Sequence, residues 1–411
     1  MNKLIASAGV LALGGVFSVQ AQDKNWSLSG TIRTFYDDNY TTSPSHPAPG
    51  FAGRRNSYGF ELNPSANYNV TMDQATISLG YKYDMKYYED RRQNSADHSH
   101  EANLALNYRF SEICQLKLSD NFAVAQEPGV LDPALVTTPL RSNGNNIRNA
   151  ANINLSGYLT RLFDYEVGYS NTYYDYQQTG TDSRSALLDR VEHLMLLNLK
   201  WKIQPETTGI FGYSFGIVDQ TSKDLITIPP PVLPSTRDNY SHYAYAGVDH
   251  SMSTQWHLGL RAGLQYTEFP NAPAPLSKSS VTPYLDANTS YEYAPGSRAT
   301  LGVKHTRNQT DVATLDAEST TVYTTVTHQF TPLLVGNLIA QYQNSSFYQG
   351  PNNNKSDNLF LVGVQVEYEL PKVVPFQWWA QAGYNYDRLD SDLSGRSYYR
   401  NRIYIGLRAT Y

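Results

Sequence analysis

The chain ends in Ile403-Tyr404-Ile405-Gly406-Leu407-Arg408-Ala409-Thr410-Tyr411. Every second residue of this stretch belongs to one apolar row: Ile403, Ile405, Leu407, Ala409 and Tyr411. The residues between them are more polar, and a period of two residues is that of a β-strand. A barrel in lipid must close so that no strand edge is left open. We therefore expect this strand to pair with the first strand of the chain.

The same alternation recurs along the chain from Trp26 onward. It is clearest from Ala75 to Tyr87 and from Trp256 to Thr267. Segmentation by this period gives about eighteen strands, with short turns after the even-numbered strands and longer polar loops after the odd-numbered ones. The predicted eighth strand runs from Leu187 to Ile203. The tenth, near Tyr240–Met252, has the least clearly separated faces. The pattern predicts an all-β fold: a transmembrane antiparallel β-barrel with short periplasmic turns and longer outer loops.

Composition supports a barrel and excludes several other classes of protein. The mean hydropathy is −0.48, which argues against a helical membrane protein. The 33 tyrosines suit the aromatic girdles of a barrel, where the ring meets lipid and the hydroxyl meets water. A formal net charge of −5 argues against nucleic acid as a partner. Cys114 is the only cysteine, so no intrachain disulfide is expected.

The N-terminus has the pattern of a secretory signal peptide. Lys3 gives a positive start, Leu4–Val16 is apolar, and small residues precede a cleavage point after Ala21. We expect residues 1–21 to be the signal peptide and residues 22–411 to form the barrel, exported by the Sec route to the outer membrane of a Gram-negative bacterium. Strand-like sequence begins close to the cleavage point, which leaves no room for an N-terminal plug.

Polar residues opposite the apolar rows are expected to face the lumen. The charged candidates for the lining are Arg33, Glu61, Lys82, Asp84, Arg109, Glu166, Lys200, Arg261, Asp286, Lys304, Glu367, Asp387 and Arg408. Glycines such as Gly212, Gly302 and Gly383 share this row. They are expected to keep the inner wall low, with no side chain projecting into the lumen at these positions. A barrel of about 16 to 18 strands is wide enough for an aqueous channel. The row therefore predicts a pore for small hydrophilic solutes, without strong ion preference because both signs are mixed. Inward charges that only pair and hydrate the lumen are the alternative.

Three stretches resemble the putative β-barrel porin 2 family of outer-membrane proteins. They are Tyr58-Gly59-Phe60-Glu61-Leu62-Asn63-Pro64, the segment from Tyr81 to Arg91, and Gln126-Glu127-Pro128-Gly129-Val130-Leu131-Asp132-Pro133. The likeness extends over nearly the whole mature chain, and these motifs are structural. The resemblance implies a barrel and a porin, and brings no catalytic residues to transfer.

Two other functions stay open at this point. A non-conducting structural or adhesion barrel would work through its outer loops. An outer-membrane hydrolase would need a Ser–His or Asp–His pair, for which His250 and His328 are the candidates, although chance pairings of such common residues are frequent. His98 and His100 share a strand face, but no third metal ligand is evident. We expect no enzyme activity, cofactor or metal.

The loops and the closing strand point to partners. The long loops Glu127–Asn145 and Thr221–Arg237 carry apolar residues, so either one of them folds inward and narrows the pore or both cap the rim. Outer-membrane lipid and lipopolysaccharide should surround the barrel, and the C-terminal strand should engage the barrel-assembly machinery. A homo-oligomer is compatible with the sequence and not required by it.

Overall fold

The protein is a closed barrel of eighteen antiparallel strands. The structure, a computed structural model, describes residues 24–44, 47, 53–125, 145–228, 230–373 and 375–411. Each strand pairs with its neighbours in sequence, and β18 also pairs with β1, so the sheet closes on itself. The predicted strand number and fold class are confirmed.

The strands have the following bounds: β1 Trp26–Asp37, β2 Ser57–Thr71, β3 Ala75–Tyr88, β4 Ala96–Ser111, β5 Cys114–Ala125, β6 Asn146–Tyr158, β7 Phe163–Tyr176, β8 Arg190–Gln204, β9 Thr207–Gln220, β10 Asn239–Ser251, β11 Trp256–Glu268, β12 Ser279–Ala294, β13 Ser297–Arg307, β14 Asp316–Thr331, β15 Leu334–Tyr348, β16 Ser356–Glu369, β17 Gln377–Ser391 and β18 Tyr398–Thr410. A one-turn helix, α1 (Arg184–Leu188), lies between β7 and β8, and a 3₁₀ turn, Pro234–Arg237, precedes β10.

The first and last strands form the closing seam. Their register places Ile32 opposite Leu407. Beyond the last paired residue, Tyr411 N donates to Leu28 O at 2.8 Å, and the Tyr411 ring stacks on Trp26 with centroids 5.2 Å apart. The aromatic end of the chain thus extends the seam by one residue.

Turns and loops alternate as the sequence predicts. The connections at one end of the barrel are short, for example residues 112–113, 205–206 and 332–333. Those at the other end are longer, for example residues 221–238. Trp26 and Tyr411 both lie at the short-turn end, because β1 begins and β18 finishes there.

The two faces of the sheet are inverted relative to a soluble protein. Leu79, Leu264 and Ile405 are 46%, 58% and 63% exposed on the outer face, while Gln265 and Gln343 are buried on the inner face. The side chains alternate because successive residues of a strand point to opposite faces. An apolar exterior around a polar interior is the arrangement that lipid requires of a barrel.

Several strand limits differ from the sequence-based prediction. The predicted eighth strand begins at Leu187, whereas Leu187 and Leu188 lie in α1 and β8 begins at Arg190. Ser183 caps this helix by accepting a hydrogen bond from Ala186 N, a favourable way to start a short turn of helix. The predicted loop Glu127–Asn145 lies outside the described residues except for Asn145.

No helix in the described part of the chain has the length and apolar character needed to span a membrane.

Candidate functional site: the inner wall and the mouth of the barrel

Charged side chains of opposite sign meet on the inner face around the closing seam. Arg33 on β1 lies 3.5 Å from Glu61 on β2, and its Nε donates to Gln381 on β17 at 3.0 Å. Arg408 on β18 lies 2.9 Å from Glu367 on β16. Four of the predicted lining residues therefore form two ion pairs, and these pairs span the strands on both sides of the seam.

A second group of candidates forms pairs on the wall from β7 to β13. Lys200 Nζ lies 2.7 Å from Glu166 Oε2. Arg261 pairs with Asp249 at 3.2 Å. The register also places Asp286 opposite both Arg261 and Lys304 on its two neighbouring strands. Paired charges of this kind largely neutralise one another and leave the wall hydrated.

The remaining candidates occupy separate positions. The register sets Lys82 opposite Glu101 and Asp84 opposite Ser99 across β3 and β4. It likewise sets Asp387 opposite Arg400. Arg109 is exposed near the short turn after β4. Which of the thirteen residues line an open pore stays a prediction.

The most buried charge near the seam, Asp37, was not among the lining residues predicted from the sequence. Asp37 is fully buried and pairs with Arg400 at 2.5 Å and with Arg402 at 3.3 Å. Asp37 follows Arg33 by four residues, so the same period of two would have placed it on the inner face. The alternation therefore carried a signal for this cluster.

Glycines on the inner face make room for tyrosine rings, so the space above them is not left open to the lumen. A Cβ at Gly302 would lie 2.2 Å from the ring of Tyr323, and one at Gly383 would lie 2.3 Å from the ring of Tyr404. The same holds for Gly212 beneath Tyr245. The expectation of a low wall is wrong at these three positions, because a neighbouring strand fills the space with a flat ring.

Apolar side chains also reach the inner face, which the assignment of all apolar rows to the outside did not anticipate. Leu359, Leu361, Leu389 and Tyr398 form a buried cluster on β16, β17 and β18. Each shares its face with inward polar neighbours, since Asp357 and Leu359 are two residues apart. This cluster anchors the long-loop end of the wall.

The long loops pack together at the mouth. Leu188 of α1 and Ile226 of the loop 221–238 are both fully buried in one cluster, against which Leu276 and Ala313 from two further loops pack. The predicted loop Thr221–Arg237 therefore packs on other loops through its apolar residues, as its composition indicated. Residue 229 within it is outside the described residues.

The outer end of β13 bends over the inner face of β12. The β12–β13 pairing stops at Leu285 and His305, although β12 continues to Ser279 and β13 to Arg307. Arg307 N and the Thr306 hydroxyl each donate to Gln265 Oε1 at 3.2 Å. Gln265 is on β11, with β12 between the two strands, so these bonds must cross the inner side of β12. The wall therefore narrows inward at this point.

The loop 308–315, which follows β13, is bonded to loops on two sides. Arg237 donates through Nη2 to Thr310 O at 3.1 Å. Arg396, between β17 and β18, donates through Nη1 to Asp311 Oδ2 at 3.0 Å and through Nε to Asp357 Oδ2 at 2.7 Å. These contacts could not be predicted from the sequence, because they join side chains far apart along the chain in segments without a periodic pattern.

Both arginines stay charged at neutral pH. Burial and the nearby charge of Arg190 lower the pKa of Arg237 to about 10. Burial would also lower the pKa of Arg396, but the charge of Asp311 and the hydrogen bonds to Asp311 and Asp357 raise it above its usual value. The contacts of the loop 308–315 are therefore charge-assisted under physiological conditions.

The histidine candidates hydrogen-bond to hydroxyl side chains. The ring nitrogens of His98 and His100 lie 2.7 and 2.8 Å from the hydroxyls of Tyr83 and Tyr81. No group of three or more potential metal ligands occurs in the part of the chain that the structure covers. His250 lies 2.8 Å from the hydroxyl of Thr207.

His328, the second hydrolase candidate, lies 2.9 Å from the hydroxyl of Tyr293. A Ser–His contact does exist on the inner face, with Ser251 Oγ 3.0 Å from His257 Nδ1. The acid nearest in sequence, Asp249, pairs with Arg261. This arrangement lacks the acid–histidine contact that activates a serine nucleophile.

A closed barrel of eighteen antiparallel strands, apolar outside and polar inside, defines the protein as a β-barrel of the porin class. A family model described as "Putative beta-barrel porin 2" matches residues 163–411, which is more than half of the chain. The chain belongs to this family, and the resemblance seen in its sequence is confirmed.

Comparison with curated proteins finds no match. Among solved structures, the chain is similar to OccK9 (OpdG) of Pseudomonas aeruginosa, with 14% identity, a TM-score of 0.47 and coverage of 95% of this chain and 99% of the other. It is also similar to a BenF-like porin from Pseudomonas fluorescens Pf-5, with 11% identity, a TM-score of 0.47 and coverage of 95% and 99%. The chain is similar as well to OccAB3 of Acinetobacter baumannii, with 10% identity, a TM-score of 0.45 and coverage of 94% of this chain and 100% of the other. At these identities and TM-scores, the likenesses carry no weight for the solute.

Proposed function

We propose that the protein is a passive channel for small hydrophilic solutes in a bacterial outer membrane. The observation that supports this proposal is that the closed sheet is apolar on its outer face and polar on its inner face. An outer face with exposed Leu79 and Leu264 suits lipid, and an inner face with buried Gln265 and Gln343 suits water and polar solutes. Membership of a porin family supports the same function.

The width of the barrel suits a channel. With a strand spacing of about 4.8 Å and a tilt of about 40°, eighteen strands give a circumference of roughly 110 Å and a backbone diameter of roughly 35 Å. Side chains on the inner face reduce this opening but do not fill it at such a strand number. The narrowest point is therefore expected where the loops meet and not along the wall.

The inner charges favour weak ion selectivity. Arg33 with Glu61, Glu166 with Lys200, and Glu367 with Arg408 each combine one cation with one anion. A solute that passes such a wall meets alternating signs and little net field, so neither cations nor anions gain a large advantage.

The orientation follows from the loop lengths. We place the short turns and both ends of the mature chain in the periplasm and the long loops outside the cell, after signal cleavage near Ala21. In this orientation the loops face lipopolysaccharide, and β18 is the strand through which the assembly machinery would engage the barrel.

Liposome swelling tests the channel. Purified, refolded protein is placed in vesicles loaded with a large polymer, and the vesicles are diluted into isotonic sugars of increasing size. We expect fast swelling with the smallest sugars and a cut-off as size increases, because the entrance is narrower than the wall. Protein-free vesicles are the control. The absence of swelling with every sugar, from protein shown to be folded, would contradict a channel.

The contacts between loops favour one alternative, a barrel that does not conduct and works through its outer loops. Leu188, Ile226 and Arg237 are almost fully buried where loops meet, which is a compact arrangement for segments exposed to solvent. The swelling assay separates the two functions, because a structural barrel would fold normally and pass no sugar.

A further inference from the structure

We propose that the loop 308–315 is a gate, held across the mouth of the barrel by Arg396 on one side and Arg237 on the other. This inference rests on the proposed channel function and adds a control of its opening. The part that moves is the tip, residues 309–311, and the part that stays fixed is the base at residues 312–315, where Val312 is buried with Ala317 and Phe347.

The positions of the two arginines place the tip over the lumen. Arg237 precedes β10 and Arg396 precedes β18, so their loops stand eight strands apart in a ring of eighteen, nearly opposite one another. Along the wall this separation is of the order of 40 Å, with about 4.8 Å per strand before tilt. An arginine side chain is much shorter than that. A loop that contacts both must therefore lie away from the wall, over the opening.

On one side, Asp311 at the tip binds the guanidinium of Arg396. Two oxygens of the carboxylate accept from two nitrogens of Arg396, Nη1 and Nη2, in a bidentate pair. The Nε of the same guanidinium is bonded to Asp357 on β16. Asp357 holds Arg396 at the wall. When the tip moves, Asp311 therefore separates from Arg396, and Arg396 stays in place.

On the other side, Arg237 joins the tip to a second loop. Its Nη1 donates to Leu187 O at 2.9 Å and its Nη2 donates to Thr310 O at 3.1 Å. Among the described residues, no carboxylate lies within ion-pair distance of Arg237, which is only 2% exposed. The charges of Asp311 and Asp316 offset its charge at longer range. On this side the tip is therefore held by one charge-assisted hydrogen bond to a main-chain oxygen.

The base of the loop is held independently of the tip. Thr314 Oγ1 donates to Tyr348 O and to Gln349 O, each at 2.7 Å. Leu315 N also donates to Gln349 O at 3.2 Å. These bonds tie the base to the end of β15 and would survive release of the tip. Beyond His305, the backbone pairing of β13 with β12 stops, but Arg307 donates to Ser280 and Thr282 of β12 and so fixes the end of the strand below the loop.

Single-channel recording of charge variants tests the gate. Asp311→Asn keeps the shape of the side chain but removes the charge that binds Arg396. Arg237→Gln removes the guanidinium that donates to Thr310 O on the other side of the tip. The matched control is Asp390→Asn, which removes an exposed ion pair with Arg388 at the end of β17, away from the loop 308–315. Folding of every variant is checked by heat-modifiable mobility on gels.

We expect Asp311→Asn to raise the open probability or the conductance about tenfold, since it loses roughly one charge-assisted pair in the shut state. Arg237→Gln should act in the same direction, and Asp390→Asn should match the wild type. A conducting wild type with unchanged Asp311→Asn and Arg237→Gln variants would overturn the gate but leave the channel intact. If one of the two variants fails to fold, the other decides.

If the folded wild type, both variants and a folded variant that lacks residues 309–311 all pass no current, the channel itself is overturned. Conduction by the shortened variant alone would support the gate, because only the barrier has been removed.

Discussion

At the scale of single residues, inward tyrosine rings and the glycines beneath them fit together. The ring of Tyr323 lies where a Cβ of Gly302 would be, at 2.2 Å. We predict that Gly302→Ala destabilises the barrel by about 1–3 kcal/mol, because the added carbon forces the ring or the strand to move. Urea titration of folding in lipid vesicles measures the difference. Gly30→Ala is the control, since nothing lies within 4 Å of its Cβ position, and an equal loss from both would contradict the packing.

A second residue-scale prediction concerns the two faces of β16. Val364 is 42% exposed on the outer face, and its neighbour Gln365 hydrogen-bonds to Glu367 on the inner face. We predict that Val364→Arg, which puts a charge into lipid near mid-strand, costs about 2–4 kcal/mol. Gln365→Arg should be tolerated, because it lies beside a carboxylate in a polar lumen. The same titration compares the two, and equal costs would show that the facing assignment is wrong.

At the scale of elements, strand number and facing could be predicted from the sequence because both follow from a period of two residues. The lengths of strands could not. The eighth strand was predicted to begin at Leu187 but begins at Arg190, and Leu187 O instead accepts a hydrogen bond from Arg237, 50 residues further along the chain. Such bonds depend on partners distant in sequence, and a local period contains no information about them.

The candidate site was predictable to a similar extent. The alternation placed Arg33, Glu61 and Glu367 on one face, where the structure finds them in ion pairs. It did not indicate the loop 308–315, because a contact such as that between Asp311 and Arg396 joins two loops without any regular pattern. The contacts of the loop 308–315 were therefore visible only in three dimensions.

The closing strand gives the element-scale prediction. β18 pairs with both β17 and β1, so its loss opens two edges in lipid. We predict that deletion of Ile403–Tyr411 abolishes the heat-modifiable folded form on gels. Tyr411→Phe is the control, because it keeps the ring that stacks on Trp26 and loses only the hydroxyl that accepts from Lys24. Normal folding of the truncated chain would show that closure does not depend on this strand.

At the scale of the whole molecule, wall and mouth have different roles. The inner wall carries charges that are largely paired, whereas α1, the loop 221–238 and the loop 308–315 meet at the mouth. We propose that the barrel provides the route through the membrane and that the loops at its mouth control the entry of solutes. Loops on a rigid scaffold commonly carry such a role.

Single-channel conductance of the refolded wild-type protein, in a planar bilayer with a salt gradient, tests the central claim most directly. We predict discrete, stable conductance steps with a defined reversal potential close to zero, because the inner charges are paired. Protein that is shown to be folded by heat-modifiable mobility, yet passes no current either intact or after removal of residues 309–311, would contradict the channel. The function would then lie in the outer loops.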